Sequence, residues 1–170
     1  MKELIDFFKE KYDFASWSTE GKETGKAEAK PFHLLMEKMP EYVRVSRRIL
    51  PRAVEGSYYT LVEELAETGN CGKRFRVMTT SYHTPKAAVE GMLMNLIAAE
   101  SYVKVDNGRV CPAELCFIAE DENPCIGMCL TDKTVVRVYA LHTNPYRDDL
   151  FAVLSTISSR IREKERESTL

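Results

Sequence analysis

The chain lacks any long apolar run. A helical membrane span needs about 18 or more consecutive apolar residues. The longest candidate here, residues 92–99, is broken by Asn95 and flanked by Glu90 and Glu100. An apolar signal core is missing from the N-terminus as well, where Lys2, Glu3 and Asp6 stand among the apolar residues. A cytoplasmic protein with no membrane partner is therefore expected. Neither sign of charge is in excess: 24 Lys and Arg against 26 Asp and Glu leave a formal net charge of -2. Nucleic-acid binding draws its affinity from phosphates neutralised by a basic surface, and this composition gives no push that way.

Histidine is scarce, with His33, His83 and His142 the only three. No His-Glu-x-x-His, Gly-x-Ser-x-Gly elbow or phosphate-cradling Walker loop occurs. Catalytic groups can also assemble in space from scattered positions, so these absences lower the expectation of an enzyme without removing it. No cofactor is expected. The five cysteines, Cys71, Cys111, Cys116, Cys125 and Cys129, are an odd number. They do not close into disulfides within one chain, and reduced thiols acting as small buried hydrophobes are the default in a reducing compartment.

What is present is an ordinary globular composition. The 170 residues are 44% hydrophobic and 29% charged, enough for one domain with its own core and too apolar for a disordered chain. Three parts are expected: an N-terminal helix and polar linker over 1–30, a single α+β domain over 31–167, and a tail over 168–170.

Leu4, Ile5, Phe8 and Tyr12 recur at helical spacing. Residues 16–30 are polar, carry two glycines and read as linker. A short helix is predicted between Pro31 and Pro40. Residues 41–50 read either way: Val43 and Val45 alternate with Arg44 and Ser46 as in a strand, and Pro51 ends the run. Residues 57–65 are aromatic and β-branched, which favours a strand. Residues 74–82 alternate, with Phe75, Val77 and Thr79 on one face and Arg74, Arg76 and Met78 on the other. With the turn signal Asn70-Cys71-Gly72 the two predict an antiparallel hairpin.

Thr84-Pro85 is a strong helix start, because Thr caps free N–H groups and Pro at the first helical position loses no hydrogen bond. The long central helix is expected to reach about residue 101 and to bury Ala88, Met92, Leu93, Leu96, Ile97 and Ala99. Asn107-Gly108 between alternating residues signals a hairpin. Strands are expected over 114–119, 125–130 and 134–141, joined by short loops into a C-terminal meander. The last helix, over 146–167, carries Leu150, Val153, Leu154, Ile157 and Ile161 as one stripe. The fold class expected is α+β, two-layer: an antiparallel sheet with the central and C-terminal helices packed on one face.

Candidate site residues follow from this layout. Arg44, Arg47, Arg48 and Arg52 form one basic run and Lys73, Arg74 and Arg76 another. On neighbouring strands, Arg44, Arg48 and Arg76 would form one cationic patch for phosphate or an acidic partner. Two solvated strand faces, offset by Glu55, Glu63, Glu64 and Glu67, are the plainer outcome. His83 and His142 stand at element ends, where termini converge. Cys116, Cys125 and Cys129 are the metal candidates. A turn centred between residues 121 and 122 would set Cys116 opposite Gly127, with Cys125 and Cys129 diagonal to it on the same face. Cys125 and Cys129 lie about 13 Å apart along a strand, unlike the Cys-x(2–4)-Cys knuckles of structural zinc sites. Buried thiols are expected instead of a metal centre.

With Phe75-x-Val77 like a central strand and Pro85-Lys86-Ala87-Ala88 like a helix start, Tyr58 to Ile97 resembles the second half of a double-stranded RNA-binding domain. The resemblance implies a shared β-β-α geometry. That family's Gly-rich approach and lysine cluster have no counterpart here.

The function expected is a non-catalytic binding or accessory module engaging a protein partner, with homodimerisation. Two other classes compete with it. One is a small-molecule or enzymatic pocket between sheet and helices. The other is nucleic-acid binding through the arginine-rich strands.

Overall fold

A computed structural model describes residues 2–12, 39–69, 72–98, 102–104, 115–119, 125–142 and 147–167. The chain order is α1 (Lys2–Tyr12), β1 (Tyr42–Pro51), β2 (Ser57–Glu67), β3 (Arg74–Tyr82), α2 (Pro85–Ala98), β4 (Val103–Lys104), β5 (Leu115–Ala119), β6 (Ile126–Thr131), β7 (Thr134–Ala140) and α3 (Arg147–Glu167). The seven strands form one sheet in the order β1-β2-β3-β7-β6-β5-β4, and every neighbouring pair is antiparallel. The class is α+β, and the C-terminal meander is present. The run left open between strand and helix resolves as the strand Tyr42–Pro51. The linker, the short helix before Pro40, the Asn107-Gly108 turn, His33, Cys71 and Cys111 lie outside the described residues.

The expectation that both helices share one face is corrected. Ala88, Val89, Met92, Leu93 and Leu96 of α2 pack with Phe8, Tyr12, Phe117, Met128, Leu130 and Val135. The α3 residues Leu150, Val153, Leu154, Ile157 and Ile161 pack with Leu65, Phe75, Val77, Cys116, Cys129 and Val136. Consecutive strand residues, such as Cys116 and Phe117, fall in different clusters because side chains alternate across a sheet. The sheet is thus sandwiched, with α1 and α2 on one side and α3 on the other. The reason lies in β5, where Leu115, Cys116, Phe117, Ile118 and Ala119 are all buried. A strand apolar on both faces needs cover on both.

Local rules hold where they are strongest. The Ala87 amide donates to Thr84 Oγ1 at 3.1 Å, with Pro85 at the first helical position. Thr84→Ala is expected to cost about 1 kcal/mol, read as a lower urea midpoint at unchanged slope; an unshifted midpoint would refute the cap. The buried stripe of α2 differs from the expected one by a small rotation. Val89 is buried, whereas Ile97 is exposed; Ala99 lies outside the described residues. The α3 stripe matches throughout.

Candidate functional site

Cover by the described helices is uneven across the sheet. The α2 cluster contains no β1 or β2 residue, and β1 forms one end of the described sheet. Val43, Val45, Ile49 and Leu50 are 49%, 53%, 47% and 40% exposed. They are four of the nine large hydrophobic side chains exposed among the described residues. The register shifts between Arg44 and Ser46, so β1 bulges there.

That bulge separates the arginines. Arg44 pairs in register with Leu65 and Arg47 with Glu63, on the α3 side; Arg48 pairs with Val62, on the α2 side. Arg44 Nε lies 2.7 Å from Glu63 Oε1. The Glu63 side chain is 1% exposed and that of Arg44 29%. Burial pushes the Glu63 carboxyl above its ordinary value of 4.5, and the charges of Arg44 and Arg47 pull it part of the way back. Arg47 Nε and Nη2 are buried without a hydrogen-bond partner among the described residues.

The sequence signal for this group was the in-strand glutamate between Val62 and Leu65. It pointed only to a solvated strand face, and the structure corrects it to a buried carboxylate. Arg44 is accordingly an internal counter-ion.

The single patch of Arg44, Arg48 and Arg76 does not form. β2 separates β1 from β3, and Arg44 lies on the other face from Arg48. Arg76 shares the α2 side with Arg48 but is engaged, its Nη2 2.9 Å from Glu64 Oε1; Arg74 is 3.7 Å from the same carboxylate. Nearby, Arg137 Nη1 donates to Asn95 Oδ1 at 2.6 Å, tying β7 to α2. Arg48 and Arg52 are exposed, and among the described residues neither forms an ion pair.

The two described histidines stand at opposite ends of β3. His83 follows its last residue and packs edge-on to Tyr58, ring centroids 3.9 Å apart. His142 Nδ1 accepts from the Arg74 amide at 3.2 Å, at the first residue of β3. Nine strand residues, spanning roughly 25–30 Å, separate them, so they do not converge on one substrate.

Cys116, Cys125 and Cys129 share the α3-side core as buried thiols. The register is not the expected one. Cys116 faces Cys129, and Ile118 faces Gly127. A shift of two residues preserves the face, which is why the thiols still lie on one side. Cys129 Sγ is 3.3 Å from Ser158 Oγ, which is 3.3 Å from Thr131 Oγ1. Among the described residues, no three His, Cys, Asp or Glu side chains are grouped to hold a metal ion. No described helix is long and apolar enough to cross a membrane.

Comparison with family models, with curated proteins and with solved structures finds no match to this chain.

Proposed function

We propose that this protein is a non-catalytic binding module that engages a protein partner through β1. The observation that carries the reading is the concentration of exposed Val43, Val45, Ile49 and Leu50 on a ten-residue strand at the sheet edge. Val43 and Leu50 stand on the α2 side of β1 and Ile49 on the other, so exposed apolar side chains flank an outer strand, which is a template for pairing with another chain. Arg48 adds an exposed positive charge to it. The separation of His83 from His142 favours this reading over a shared catalytic pocket.

The test is a photo-crosslinking residue placed in turn at Val45, Leu50 and, as a control, exposed Met94 of α2. Discrete polypeptide adducts are expected at Val45 and Leu50 in the source cells, absent at Met94 and lost on Ile49→Asp. Adducts at Met94 alone, or none at any position, would overturn the reading.

A further inference from the structure

We propose that β1 takes up an extended acidic segment of the partner protein as an added strand of the sheet, an inference that rests on the binding-module reading above. The backbone supplies the first argument. The Arg52 amide donates to the Tyr58 carbonyl at 3.0 Å. Antiparallel ladders alternate between residues that bond inward and residues that point away. Counting back from Arg52, the amides and carbonyls of Arg47 and Ile49 point away from β2. They offer an incoming strand the hydrogen bonds that give strand addition its affinity, while side chains on alternate faces give the specificity. Pro51 has no N–H and closes the ladder at that end.

The occupant is set by charge. β1 reads Tyr-Val-Arg-Val-Ser-Arg-Arg-Ile-Leu-Pro, with three arginines and no acid. Glu63 offsets Arg44 from inside the fold, whereas Arg48, and Arg52 just beyond the strand, have no such counter-ion among the described residues. A second copy of β1 would bring arginines against arginines, and like charges across a ladder destabilise it. The bulge and Pro51 add to that protection against self-pairing. Protection alone does not call for four exposed aliphatic side chains in the same strand. Arg48 on the α2 side rejects a basic or identical strand and accepts acidic side chains there, while Ile49 on the other side accepts apolar ones, so the strand that fits alternates acidic and apolar residues.

The experiment uses the full chain with two end-blocked peptides, one alternating valine with glutamate and the other valine with lysine. Amide hydrogen exchange at Arg47 and Ile49 is the readout. The glutamate peptide is expected to protect both amides, more weakly as salt rises, and the lysine peptide to leave them unprotected. N-methylation along the peptide's pairing edge is expected to abolish protection. Arg48→Glu with Arg52→Glu is expected to weaken the glutamate peptide by about tenfold or more and admit the lysine peptide.

Equal protection by both peptides, or none from the glutamate peptide at millimolar concentration, overturns the proposal. So does protection of the same amides that grows with protein concentration alone, since a second copy would then be the occupant. Photo-adducts at Val45 that survive a failed peptide test leave the binding-module reading standing and remove only the acidic strand. Loss of both removes both.

Discussion

Arg44→Met is expected to lower stability at neutral pH by roughly 2–3 kcal/mol, and Glu63→Gln in the same chain to restore most of it. Removing one partner of a buried pair leaves the other charge uncompensated, at about 3–5 kcal/mol for fully buried pairs. The lower figure applies because Arg44 is 29% exposed and Arg47 still faces Glu63.

The pH dependence follows from the same group. The folded protein holds the Glu63 carboxyl above its ordinary 4.5, by burial, against the pull of Arg44 and Arg47. The neutral carboxyl therefore suits the fold better than the carboxylate. This group's contribution is complete below the ordinary value and is lost as pH rises through the raised folded one. Removing Arg44 raises the folded value further and widens that window. Urea unfolding across the acidic to neutral range is expected to show the steepest loss in Arg44→Met and none from this group in Glu63→Gln. A wild-type midpoint for Arg44→Met at neutral pH would show that the pair contributes nothing.

Gly91→Ala is expected to destabilise by about 1–2 kcal/mol, although replacing a helical glycine with alanine ordinarily gains up to ~1 kcal/mol. A Cβ at Gly91 would overlap Tyr82 Oη and Cζ and approach Cε1 to 2.8 Å. Tyr82 is buried, and its ring has no flexible end to move, so α2 must lift from the sheet. Overpacking of this kind costs about 1–3 kcal/mol before the helical gain is subtracted. Gly127→Ala is the contrasting case. Its Cβ would meet Leu154 Cδ1 at 2.7 Å, the far end of a side chain that can rotate, and a loss below about 1 kcal/mol is expected. Parallel denaturation curves test both, and a Gly91→Ala variant more stable than wild type would refute the close approach.

The sequence carried the local structure well. The alternation of Phe75, Val77 and Thr79 against Arg74, Arg76 and Met78 matches the burial pattern of β3. Thr84-Pro85 starts α2 as capping chemistry requires, and the α3 stripe from Leu150 to Ile161 is buried as spaced. Each of these rests on neighbours within a few residues, where backbone geometry fixes which side chains share a face.

The remaining features depended on partners far along the chain. Which face each helix covers follows from β5 being buried on both sides, and its uninterrupted apolar run was the available sign. The pairing of Cys116 with Cys129 depended on the length of the turn between them, and period-two patterning cannot distinguish registers that differ by two. The fate of the basic run depended on a bulge that sends Arg44 inward to Glu63 and leaves Arg48 outside. Sequence alone determined the described long elements other than β1, their periodicity and an antiparallel α+β class. Only the tertiary structure decided that β1 ends the described sheet, that its apolar residues stay exposed, and that one arginine of its run is held by a buried carboxylate. Strand order and burial are set by long-range packing, which local propensity does not encode.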